Sequence, residues 1–167
     1  MQYVVIAMLF LTSLDLDPAQ AAGDLERETL RGLPGVNLLI EKINPGAQAD
    51  GLSPERIQTA AELILRSSGI RVLTQKEMLD SPASPYLYVK VSTSKNPIGL
   101  YSYCVTAVLS QGVFLAHRPQ ERTHAITWGA RGIIGSVGTT NLGDSLTPEV
   151  EELVKEFAND FLTVNHR

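Results

Sequence analysis

Side chains able to do chemistry are few and scattered in this chain. Three histidines occur, His117, His124 and His166. The first two flank a polar stretch, His117 to Arg122, which contains Pro119 and reads as a hairpin loop across which they could face each other. A metal held there would need further ligands, and the loop offers Glu121 alone. No His-x-Glu, His-Glu-x-x-His or cysteine pair is present. A small hydrolase or metal-dependent enzyme built on His117 and His124 is therefore the alternative, and the expectation is a non-enzyme without catalytic residues, metal or cofactor. Gly132, Gly135 and Gly138 are spaced G-x-x-G-x-x-G, which is neither the dinucleotide fingerprint nor a P-loop, so a flexible or bulged connection is expected there. Ser136 is no nucleophile elbow, because Ile134 stands where glycine is required. Cys104 lies in an apolar, β-rich run with no neighbouring cation to activate a thiolate, and reads as a small buried hydrophobe.

Two groupings point to binding. His117, Arg118, Arg122, His124 and Arg131 gather on the expected hairpin and its returning strand against Glu121 alone, a basic edge suited to lipid phosphate or an acidic partner. Tyr86, Tyr88, Tyr101 and Tyr103 could form an aromatic patch on either sheet face, or simply pack in the core. Together these nine residues are the candidate partner surface.

Composition limits the rest. The chain has 167 residues, 44% hydrophobic and 19% charged, with one Cys and a net charge of −4. That apolar content excludes disorder, one cysteine excludes a disulfide scaffold, and an acidic balance argues against a nucleic-acid binder. Tyr3 to Leu14 is an apolar run too short to cross a bilayer, which takes roughly 20 residues. Ala19-Gln20-Ala21 then supplies small residues for a signal peptidase, so residues 1–21 are expected to be a signal peptide cleaved after Ala21. Asp15 and Asp17 leave with it. Cys104 is too far from that site to be lipidated. The expected location is the periplasm or the exterior.

Residues 22–32 read as a flexible lead-in and 33–167 as one domain. Val36, Leu38 and Ile40 alternate with more exposed neighbours as a strand, and Gly46 to Gly51 reads as a loop. Ser53-Pro54-Glu55 opens a helix with N-cap, proline and acid in order, and Ile57, Ala60, Ala61 and Ile64 give it an apolar face. Gly69 is placed as a left-handed cap, with Leu65 and Ile70 in contact as in a Schellman motif. A short strand at Ile70 to Leu73 follows. Tyr86 to Thr93 and Tyr101 to Leu115 are longer strands, with Gly112 a possible bulge, and His124 to Arg131 returns with Ile126, Trp128 and Ala130 on one side. Gly132 to Gly143 reads as loop. Thr147-Pro148-Glu149 repeats the helix-opening grammar, and Val150, Leu153, Val154, Phe157, Phe161 and Val164 hold one helical face. The fold expected is α+β, a two-layer sandwich of a mostly antiparallel sheet, ordered strand-helix-strand-strand-strand-strand-helix, with two helices on one face.

The stretches Leu30 to Val36, Ser68 to Leu73, Pro85 to Val89, Thr127-Trp128 and Phe157 to Leu162 resemble a family of small exported bacterial proteins of uncharacterised function. In element order alone, the chain is also similar to the amino-terminal domain of the TolB translocation protein and to the curli-secretion lipoproteins. These resemblances imply a non-catalytic envelope domain and carry no site residue across. The resulting expectation is an exported module that binds an envelope protein or an anionic surface, and no nucleic acid. A carrier of a small apolar ligand is a further alternative, which requires a sizeable closed pocket.

Overall fold

The computed structural model describes residues 18–165. The apolar run Tyr3 to Leu14 lies outside them. The first element, α1 (Pro18–Glu28), covers most of the stretch expected to be a flexible lead-in. Leu30 behind it is fully buried, and Asn165 at the far end of the chain donates its amide to the Leu30 carbonyl and accepts from the Gly32 N–H. The lead-in is thus ordered by contacts over a hundred residues away in sequence, which local composition does not reveal.

The next elements are β1 (Asn37–Ile40), α2 (Pro45–Ala49), α3 (Pro54–Ser67) and α4 (Gln75–Asp80). Helix α3 forms as its sequence grammar requires: the Ser53 hydroxyl accepts from the Arg56 N–H, and Pro54 occupies the first turn. Gly69 has φ +75°, and Ile70 N–H reaches the Leu65 carbonyl at 2.9 Å while Gly69 N–H reaches Arg66, the two bonds of a Schellman cap. Two short helices lie outside the elements expected. Asn44-Pro45 caps α2 in the manner of Ser53-Pro54, so Gly46 to Gly51 is not wholly loop. Thr74 and Glu77 form a reciprocal capping box that starts α4. The expected strand at Ile70 to Leu73 is reduced to one parallel bridge, Val36 to Val72.

The sheet contains β2 (Tyr86–Lys95), β3 (Leu100–Leu115), β4 (Arg118–Gly129) and β5 (Ile133–Gly138) beside β1. β1 runs parallel to β2, and every other pairing is antiparallel. The last two strands share one edge of β3, β4 along Val108 to Leu115 and β5 along Leu100 to Val105. They behave as one long strand broken at Ala130 to Gly132. The glycine-rich segment expected as loop is therefore partly strand, because the first half of β3 offers it a ladder. At Gly135, directly opposite Tyr103, an added Cβ would fall under 3.0 Å from the tyrosine ring, so glycine makes room for it.

The hairpin also differs. Its turn is Ala116-His117, and β4 starts at Arg118, where a loop to Arg122 was expected. The register slips between Phe114 and Leu115, leaving Pro119 to Glu121 as extra residues on β4, and again between Leu109 and Ser110, where Thr127 is the extra residue. The bulges lie at these two places and not at Gly112. The second one puts Trp128 inside, at 2% exposure, and Ile126 outside, at 66%, so these two do not share a face.

Helix α5 (Leu142–Val164) runs straight through the expected N-cap. Leu142 and Leu146 are buried ahead of Pro148, and the Thr147 hydroxyl donates to the Gly143 carbonyl at 2.8 Å. Burial of the extra turn outweighs the hydrogen bond that Pro148 cannot make. Helices α3 and α5 pack together and cover the inner face of the sheet, where Leu38, Leu87, Val89, Val105, Ala107 and Leu109 meet Ile57, Leu65, Val150, Val154 and Phe157 in one core. The result is the α+β sandwich with helices on one side.

Candidate functional site

Helices α3 and α5 cover one face of the sheet, and among the described residues no helix covers the other, open face. Side chains alternate along each strand, so residue parity decides which face a group serves. On β2, Leu87, Val89 and Val91 are buried, which sends Tyr86, Tyr88 and Lys90 outward. On β3 the inward set is Tyr101, Val105, Ala107 and Leu109, with Tyr103 partly buried against the core. The four tyrosines therefore do not form one patch. Tyr88 lies opposite Val108, while Tyr101 lies opposite Lys95 near the other end of β2.

The inner pair serves the scaffold. Tyr101 donates its hydroxyl to Asp50 at 2.7 Å, the same carboxylate oxygen takes Lys95 Nζ at 2.7 Å, and that ammonium lies 5.5 Å from the Tyr101 ring centre. The Lys95 ammonium, then the Tyr101 hydroxyl, hold the Asp50 carboxyl below its ordinary range. Tyr103 donates to Glu149 at 3.2 Å, and burial is the main cause pushing its phenol up.

The outer pair belongs to the open face. Tyr88 donates its hydroxyl to Glu41, and Lys90 approaches the same carboxylate at 3.3 Å. The Tyr88 hydrogen bond, then Lys90, hold Glu41 below the usual carboxylate range. Tyr86 lies beside His124, ring centres 5.8 Å apart. One rung on, Arg122 spans Gly112, where an added Cβ would meet its guanidinium, and donates to the buried Ser84 hydroxyl at 2.8 Å. Ser84 itself has φ +41°, a strained value for a residue with a side chain.

Tertiary structure thus joins Tyr86, Tyr88, Arg122 and His124 and separates the other candidates. His117 sits in the turn and Arg118 pairs with Glu121 at 3.0 Å, both exposed. Arg131 lies past the end of β4 beside Glu152 and Glu156 of α5, bordering an open concavity of about 420 Å³. Burial raises the Glu156 carboxyl there. His124 opposes Gly112 while His117 is in the turn, so they do not face each other across a loop, and among the described residues no group of three or more His, Cys, Asp or Glu is set to hold a metal. Cys104 is half-buried on the open face opposite Ile134 and not a core residue. Another concavity, about 430 Å³ beside Ile40, Ile43, Pro54 and Gln58, is also open and is not the closed pocket a carrier requires.

The open face has two chemically distinct halves. One carries Leu39, Tyr86, Tyr88, Val108, His124 and Ile126 on adjoining rungs. The other carries Ser92, Ser94, Ser102 and Ser136, with Cys104 and Ile134 among them. The apolar members of the first half were absent from the sequence-based candidate set. The alternation Leu38-Leu39-Ile40 contained the signal for Leu39, whereas Ile126 was concealed by the Thr127 bulge.

No protein-family model matches the chain, and no curated protein matches it. Among solved structures, the chain is similar to a minor lipoprotein from Acinetobacter baumannii, at 9% identity and TM-score 0.36, covering 80% of this chain and 93% of that one. No helix among the described residues is long and apolar enough to cross a membrane.

Proposed function

We propose that the chain is an exported, non-catalytic binding module of the cell envelope, which docks a protein partner on the apolar and aromatic half of its open sheet face. The observation that carries this reading is the division of that face: Leu39, Tyr88, Val108 and Ile126 lie side by side with no helix of the described residues over them, next to a serine-lined half that water solvates readily. Arg122 and His124 at its margin suit an acidic partner. Export is supported by the leader-like residues 1–21.

A photo-crosslinking residue placed at Ile126, with a second at Ser136 as control, tests this in the native host. A discrete protein adduct from position 126 and none from 136 is expected. Equal labelling at both positions would count against the reading. So would an enzymatic activity abolished by His117→Ala/His124→Ala.

A further inference from the structure

Strand β2 ends its pairing with β3 at Tyr86 to Ser110, yet β3 continues to Leu115 and β4 returns from Arg118. Beyond Gly112, whose N–H still reaches the Ala83 carbonyl at 2.7 Å, the two strands project from the sheet as an arm. The β3 side of its end is apolar, Val113-Phe114-Leu115-Ala116, and Phe114 is 64% exposed. His117 shares the turn with Ala116, Arg118 lies opposite Leu115 and Arg122 opposite Phe114, so cations stand level with the apolar residues, with Glu121 as the acid among them. We propose that this arm is an anchor to an anionic lipid surface, with Phe114 entering the boundary between headgroups and acyl chains and the cations around it reaching the phosphates.

Three features support a bilayer as the occupant. Phe114 is exposed with Arg122 opposite it and Arg118 one position farther along the arm, so an apolar side chain can reach the headgroup boundary while long cationic side chains keep their charge at the phosphates. The arm is cationic on a chain of net charge −4, so an anionic surface attracts this end and repels the remainder, setting an arm-first approach. Finally, Pro119 and the extra residues to Glu121 spoil the free edge of β4 for pairing with a partner strand. The arm therefore offers side chains to a surface and not a ladder to a peptide. This inference does not rest on the sheet-face reading, because Phe114, His117 and Arg118 belong to the arm alone and only Arg122 and His124 are shared.

Phe114→Trp provides a local reporter, read as the difference from the unsubstituted chain, whose one tryptophan, Trp128, is buried. On addition of phosphatidylcholine vesicles containing phosphatidylglycerol, its emission should shift to the blue and be quenched by brominated acyl chains. Vesicles of phosphatidylcholine alone should have much less effect. Adding His117→Glu and Arg118→Glu, both exposed at the end of the hairpin, should weaken the response about tenfold, and raised salt should do the same. The buried Trp128 signal verifies that each variant is folded. No shift with anionic vesicles, an equal shift with neutral ones, or a response untouched by the two glutamates overturns the anchor. Protection of position 114 by a protein and not by lipid overturns it equally, while leaving the sheet-face reading to its own crosslinking result.

Discussion

The indole Nε1 of Trp128 donates to Asp160 at 2.9 Å, across from β4 to α5. The other oxygen of that carboxylate receives Arg27 Nε of α1 at 2.8 Å, so one acid joins three elements. Asp160 is the main cause raising the Arg27 guanidinium further above its ordinary value. Asp160→Ala should leave the indole N–H without a partner at a site 2% exposed, and cost about 2 kcal/mol. Urea unfolding followed by the single tryptophan measures it. Trp128→Phe, which keeps the edge-on contact with Phe157, should cost less, as read by circular dichroism.

Removal of residues 22–32 tests whether that segment is lead-in or structure. Fully buried Leu30, the two Asn165 hydrogen bonds, and the bond from Arg31 Nη1 to the Val164 carbonyl at 3.1 Å would all be lost. The expected loss is about 3 kcal/mol or more. Unchanged stability would show that the segment contributes nothing.

Pro148→Ala discriminates between two starts for α5. With the helix beginning at Leu142, alanine restores an N–H to the ladder and should stabilise the protein by about 1 to 2 kcal/mol, after allowance for the greater freedom of the unfolded chain. A helix beginning after Thr147 would instead welcome the proline, and the substitution would be neutral or harmful in a thermal melt.

Acid should loosen the open face at Glu41. The Glu41 carboxyl is depressed in the folded protein, so its contribution is present above the ordinary value of 4.5 and is lost as the pH falls below that toward the folded value. Tyr88→Phe removes the largest cause and should flatten the stability profile in this window. Glu156 has the opposite sign. Its carboxyl is raised, so its ionisation opposes folding as the pH climbs through the folded value, and Glu156→Gln should stabilise at neutral pH but not in acid.

Gly35→Ala should destabilise strongly. Gly35 has φ +144°, and an added Cβ would fall under 3.0 Å from the Arg71 carbonyl that accepts the Val36 N–H. A loss of about 2 kcal/mol or more is expected in the same urea assay, since neither backbone can move without breaking the Val36–Val72 bridge.

Local physics was legible in the residues themselves. Ser53-Pro54-Glu55 and Ser68-Gly69-Ile70 determine both ends of α3 because caps are satisfied within a few residues of the chain. Alternation from Tyr86 onward determines β2, and the apolar stripe from Val150 determines the body of α5. What the neighbours decide was not legible. Gly132 to Gly143 has the composition of a loop and becomes strand at β5 because β3 presents unpaired groups. Thr147 has the grammar of a cap and is overridden because Leu142 and Leu146 find a core. The candidate site shows the same division. Residue types marked Tyr86, Tyr88, Arg122 and His124 as capable of binding, but a single inserted residue in a ladder reverses every side chain beyond it, so only pairing of β4 with β3 could set Ile126 beside them and Trp128 beneath.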